Sequence, residues 1–264
     1  MGMFWSESDP QGGARVEVTA PSRAGLLDDL ESRMRAGAGF AVATLNLDHV
    51  VKLRRLPAFR AAYQAQTHVT ADGNPIVWLS RLAGRRIELV AGSELIAPVA
   101  MRAARTATPV ALLGATETTL AIAADRLRAQ HPGLQIVLTL APPMGFDPQG
   151  AAADDAITRI AESGAGLCFL ALGAPKQEIL AARAHARLPT VGFLSIGAGL
   201  DFIAGTQRRA PRLVRMLAAE WLWRLASNPA RLAARYGACL LILPGLTLRA
   251  LRARLSRGPA RSTG

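Results

Sequence analysis

Short apolar runs alternate with stretches of helical period from Arg15 to Gly197. That alternation marks parallel βαβ units, whose buried strands read as unbroken hydrophobic runs. The runs predict strands over 15–19 (RVEVT), 40–46 (FAVATLN), 68–70 (HVT), 87–92 (IELVAG), 109–114 (PVALLG), 134–140 (LQIVLTL), 167–173 (LCFLALG) and 190–197 (TVGFLSIG). Between them lie helical patterns such as TETTLAIAADRLRAQ, where Thr116 caps the first turn and Pro132-Gly133 stops the last. From Pro211 on no strand pattern returns, and the chain reads as helical with breaks at Pro229 and Pro244. The pattern divides the chain near Thr206, into a flexible tail over 1–14, an α/β core over 15–205 and a helical appendage over 206–264.

With 264 residues, half of them hydrophobic, the chain can bury one large core. Its two cysteines, Cys168 and Cys239, sit inside apolar stretches without metal-ligand spacing, which fits reduced core residues and a cytoplasmic setting. No basic start followed by an apolar segment opens the chain, so no secretory signal is read there. The net charge of +12 is lopsided. Residues 206–264 hold twelve arginines against one acid, Glu220, whereas residues 1–205 hold nineteen basic and eighteen acidic side chains.

The longest apolar run of that basic end, 236–248, is thirteen residues with an internal Pro-Gly. A spanning helix needs roughly 20. Arginines clustered with Trp221, Trp223, Tyr236 and leucines instead fit an interfacial anchor on a membrane surface, or, more plainly, a helical subdomain with a solvated basic face. A nucleic-acid role would interleave basic residues with aromatics along a groove, yet aromatics make up only 5% and the arginines crowd one apolar end. A nicotinamide oxidoreductase lacks its glycine fingerprint here. His49, His68, His131 and His185 are scattered without ligand spacing and read as structural or surface residues.

In a parallel sheet, ligands bind outside the carboxyl ends of the strands, so polar residues that abruptly follow an apolar run are site candidates. Four places qualify. Thr44 and Asn46 end the run at 40–46 on one strand face. Asp72 and Gly73 follow HVT, where a turn or helix cap is the ordinary alternative. In LGAPKQE, 172–178, Gly173 permits close approach, Pro175 suits a first helical position, Lys176 adds a cation, and Gln177 offers a donor and acceptors. In SIGAGLDFIAG, 195–205, Asp201 is placed to accept from ribose hydroxyls, or simply to follow a tight turn.

In order, TLNLDHV, TADGNPIVWLSRLAG, ELVAGSELI, VALLGA, Gly145-Phe146, LGAPKQE, IGAGLDFIAGTQRRAP and EWLWRLASNPARLAARY resemble the WecG/TagA/CpsF glycosyltransferases, glycosyltransferase family 26. The resemblance runs from about Phe40 to Tyr236. It implies an α/β, Rossmann-like parallel sheet with flanking helices, of GT-E type, plus a helical basic C-terminal appendage that contacts membrane. It implies an inverting enzyme that moves a hexose or N-acetylhexosamine from a UDP-sugar to a polyprenyl-diphosphate-linked saccharide at the cytoplasmic face, without an essential metal or other cofactor. The pathways implied are teichoic acid, enterobacterial common antigen and exopolysaccharide synthesis.

By the same resemblance Asp72 is the catalytic base, with Thr44, Asn46 and Gln177 in the pocket. Gly114, Gly145, Phe146, Gly173, Lys176, Asp201, Arg209, Arg224 and Arg231 fall in blocks expected to bind substrate. Three positions depart modestly from the family pattern: Ser195 stands where glycine is common, Glu94 replaces a frequent Asp, and APPMGF is less typical before Gly145-Phe146. Expected partners are the sugar donor, the lipid-linked acceptor and the membrane surface, with homo-oligomers as an option and no nucleic acid.

Overall fold

The computed structural model describes Trp5, residues 15–207, Trp223 and residues 229–256, the side chains of 230 and 231 excepted. Six strands form one all-parallel sheet: β1 (Phe40–Leu45), β2 (His68–Ala71), β3 (Val110–Gly114), β4 (Ile136–Leu140), β5 (Leu167–Ala171) and β6 (Gly192–Ser195), in the order β2-β1-β6-β5-β3-β4. Strand alternation sorts the core into two faces. Val42, Leu112, Phe169 and Leu194 point to α1 (Arg23–Ala36), α5 (Gly92–Arg105), α6 (Glu117–Gln130) and α9 (Gly199–Ala204). On the other face, Ala43 and Leu45 lie under α2 (Leu47–Arg55), α3 (Pro57–Gln64) and α4 (Asn74–Leu82). Leu113, Cys168, Leu170 and Phe193 lie under α7 (Ala151–Glu162) and α8 (Lys176–Arg187). Burial on both faces is why these strands read as continuous apolar runs.

Two of the eight expected strands do not form. The 15–19 segment runs beside β2, but Thr19 and Ala20 both donate to the Val69 carbonyl while the Thr19 hydroxyl accepts from Val69 N, so side-chain bonding replaces a ladder. Pro21 follows and has no N–H to continue it. The 87–92 segment makes a single bridge, Ala71 to Leu89, before turning into α5. Trp5, within the stretch expected as a flexible tail, is 1% exposed and bonded through its N–H to the Val16 carbonyl.

The C-terminal helix α10 (Pro229–Leu255) begins at one expected break and passes through the other. Pro244 is exposed, so the carbonyl of Leu240 that loses its partner faces water, and the helix continues at tolerable cost. Leu232, Cys239, Leu246 and Ala250 face inward, and α10 packs on α2 and α4. Leu240, Leu241, Leu248, Leu251 and Leu255 are exposed on the opposite side. Among the described residues no helix is long and apolar enough to cross a membrane. Both cysteines are free and buried.

Candidate active site

The polar side chains that follow β1, β2, β5 and β6 meet at the carboxyl edge of the sheet, because those four strands are neighbours. Thr44 sits one residue before the end of β1, paired in register with Thr70 of β2, and its buried hydroxyl makes a long hydrogen bond of 3.4 Å to Asp72 Oδ2. Asp72 N in turn donates to the Leu45 carbonyl at 2.7 Å, fixing the backbone that carries the carboxylate. Asn46 is not a strand residue but the cap of α2, where its Oδ1 accepts from His49 N at 3.0 Å. Gly73 has φ 111, a conformation that suits glycine and lets the chain turn directly from Asp72 into α4.

Gln177 is held on both sides of its amide. Oε1 accepts the Gly197 N–H at 3.0 Å, linking the turn after β5 to the turn after β6, and Nε2 donates to Glu178 Oε1 at 2.8 Å. One N–H and one lone pair of the amide are left over. Glu178 is fully buried, and burial pushes its carboxyl up to about 7, against the pull of the Gln177 hydrogen bond. Glu178 Oε2, Gln66 Oε1 and Ser195 Oγ are buried without a hydrogen-bond partner among the described residues, unusual in a folded core.

Beneath Thr44 lies a second polar layer. Tyr63 OH donates to the Thr44 carbonyl at 2.8 Å and stands 2.7 Å from His49 Nδ1. The hydroxyl has one proton and spends it on the carbonyl, so Nδ1 of His49 carries the hydrogen. Burial drives His49 down to about 3, keeping it neutral, and raises Tyr63 well above its ordinary value, with the Glu178, Asp72 and Asp48 charges adding to the effect. Lys52 spans the site's floor, 2.5 Å from Asp48 Oδ2 and 3.3 Å from the Ala174 carbonyl in the turn before α8. Asp48 also receives Arg235 of α10 at 2.7 Å. Burial pushes the Asp48 carboxyl up, but the Lys52 hydrogen bond and the two cations outweigh it and hold it below the usual range.

The connections reverse between β3, which crosses through α6 to β4, and β5, which crosses through α8 to β6 on the opposite face. Such a reversal is where open α/β sheets admit ligands. Gly114 closes β3 with φ 121, and a Cβ there would lie 2.4 Å from the Ala171 carbonyl oxygen. Gly173, φ 70, opens the turn to α8; the Ala174–Pro175 peptide is cis and Pro175 is the cap, so the helix starts at Lys176, one residue later than expected. Lys176 makes no ion pair among the described residues.

Residues 13–260 match the model of the glycosyl transferase WecG/TagA/CpsF family. The chain belongs to that family. The glycosyltransferase assignment thus covers almost the whole sequence, α10 included.

The remaining expected residues fall around the same edge or elsewhere. Gly145 has φ 76 in the turn after β4, while the Phe146 side chain is in the core at 5% exposure, beside a small cavity of about 160 Å³. Asp201 closes its own short helix: Oδ1 accepts from the Thr206 hydroxyl at 3.0 Å. Arg209 and Arg224 lie outside the described residues, as does the side chain of Arg231. Among the described residues no group of three His, Cys, Asp or Glu comes together as a metal site. Sequence reasoning missed Glu178, Tyr63 and Lys52. Only Glu178 left a trace, as an acid placed beside a polar residue in the first turn of a helix that packs on the sheet.

Proposed function

We propose that the chain is an inverting hexosyltransferase of GT-E, Rossmann-like type that uses a UDP-sugar and a polyprenyl-diphosphate-linked saccharide, in cell-surface polysaccharide synthesis. The observation that carries it is the meeting of Thr44, Asp72 and the tethered Gln177 at one sheet edge, beside the strand-end glycines Gly114 and Gly173. Asp72 takes the proton of the acceptor hydroxyl as its oxygen bonds to the anomeric carbon. The bond from that carbon to the diphosphate oxygen breaks on the opposite face, and UDP leaves with the electron pair. The twelve-residue α8 begins at this edge with Lys176, and the positive end of its dipole suits the charge of the leaving diphosphate. The leftover N–H and lone pair of Gln177 suit a sugar hydroxyl or acetamido group.

The enzyme works on the inner face of the cell membrane in this reading, with residues 206–264 as its appendage. Two observations favour that placement: the outward leucines of α10 and the arginines among them. Mass spectrometry of products from a panel of UDP-sugars, offered with a synthetic prenyl-diphosphate saccharide, tests the activity. Transfer is expected with one donor and to survive chelator; no product from any UDP-sugar sinks the reading, and loss on chelation reversed by Mg²⁺ sinks its metal-free form.

A further inference from the structure

A cleft of about 640 Å³ opens between the end of α4 and the end of α10, lined by Arg81, Arg85, Arg86, Glu88 and Arg254. It is far from the chemistry. α4 starts beside Asp72 and runs away from the carboxyl edge for nine residues, about 13 Å of helix. The cleft's charges do not balance. Arg85 is paired with Glu17 at 3.0 Å, and Glu88 Oε2 already accepts the Arg23 backbone N–H at 2.8 Å. Arg81, Arg86 and Arg254 have no carboxylate partner among the described residues. Three exposed guanidinium groups share one concavity with the single carboxylate of Glu88, a net positive arrangement that an entering anion relieves.

The border of the cleft says which anion. Trp78, one turn before Arg81 on α4, is 55% exposed, and Leu251 and Leu255 flank Arg254 on α10 at 42% and 81%. A free phosphate gains nothing from such a border. A lipid does: guanidinium groups bind its phosphate while indole and leucine side chains enter the boundary beneath the head groups. We infer that the cleft of Arg81, Arg86 and Arg254 binds the phosphate of an anionic phospholipid, with Trp78, Leu251 and Leu255 in the bilayer beside it. The inference rests on the membrane-face reading above, but it uses none of the residues placed in glycosyl transfer. It also gives the core, through α4, a direct hold on the membrane next to the appendage.

The test is flotation of the full chain, without donor or acceptor, on phosphatidylcholine vesicles with and without phosphatidylglycerol. R81Q/R86Q should partition roughly thirtyfold less onto the anionic vesicles, since each surface arginine contributes about a factor of five. R105Q/R128Q removes equal charge from α5 and α6, on the other face of the sheet, and should float as the wild type does. Equal flotation of R81Q/R86Q and wild type overturns the proposal. Calorimetry with inorganic phosphate at matched ionic strength separates the sources: phosphate binding that needs Arg81 and Arg86, with vesicle binding indifferent to them, makes the cleft a site for a soluble anion and ends the lipid assignment. The enzymatic reading fails separately. Protein that floats as expected yet transfers no sugar to a short-chain soluble acceptor retains the cleft and loses the reaction, whereas R81Q/R86Q that floats normally and transfers normally does the reverse.

Discussion

At the carboxyl edge of the sheet, polar side chains are buried and tied to one another; along α10, apolar side chains are exposed and the opposite face is tied to the core. Gln177 and Glu178 are 3% and 0% exposed, while Leu241 and Leu255 are 83% and 81% exposed. Each is the reverse of what stability alone favours, since burying polar groups costs and exposing large apolar ones forgoes burial. The two regions depart from the folding optimum for different reasons. The edge offers fixed donors and acceptors, as the proposed transfer requires, and α10 offers the apolar stripe that the proposed membrane contact would use.

Substitutions that hit one region and spare the other sharpen this contrast. The largest effect is expected from Asp72→Asn, which should cut transfer by roughly 10²–10⁴ while UDP affinity, followed by calorimetry, stays near wild type. Equal turnover would remove Asp72 from the base's role. On α10 the contrast can be read within one helix. Leu246→Ala, on the inward face, should cost about 2–5 kcal/mol in denaturant unfolding, whereas Leu241→Ser with Leu255→Ser should leave stability alone and weaken flotation. If both variants unfold alike, the outward face is not free. Because Leu246 and Ala250 belong to the core, deleting the whole segment after Thr206 confounds the two effects.

The edge carries a pH signature. Burial raises Glu178 from 4.5 to about 7, so the folded protein holds a proton that the unfolded chain releases; this contribution is complete below pH 4.5 and is lost as pH rises to about 7. His49, lowered from 6.5 to about 3, tilts the other way, losing stability as pH falls through that window. Glu178→Gln keeps an acceptor for Gln177 and removes the first slope, so the pH of maximum stability should move upward, by an effect of up to about 3 kcal/mol. An unchanged profile would mean Glu178 titrates normally. A smaller loss of stability is expected from Tyr63→Phe, which leaves both the Thr44 carbonyl and the buried His49 Nδ1–H without the hydroxyl, about 2 kcal/mol by thermal melts.

Strands β1, β3, β5 and β6 were legible because burial on both faces forces continuous apolar runs, and Thr44, Asp72 and Gln177 because they interrupt or follow such runs. The 15–19 and 87–92 segments have strand composition, yet their backbone partners are a carbonyl shared by two N–H groups and a single bridge. Composition does not encode that choice. Tyr63 escaped for a related reason: a polar residue inside an amphipathic helix reads as one more position on its face, and only the arrival of the Thr44 carbonyl from β1 gives it a role. Pro244 misled because it lies on the exposed face of a long helix, where the carbonyl it frees can reach water and the helix runs on past it.

The leucine stripe of α10 has a practical consequence at the bench. Among the described residues nothing covers it, and in buffer without lipid another copy of itself can, so the elution volume on gel filtration should fall as protein concentration rises, and mild detergent should reverse the trend. A preparation judged by size alone would then report the solvent, not the enzyme.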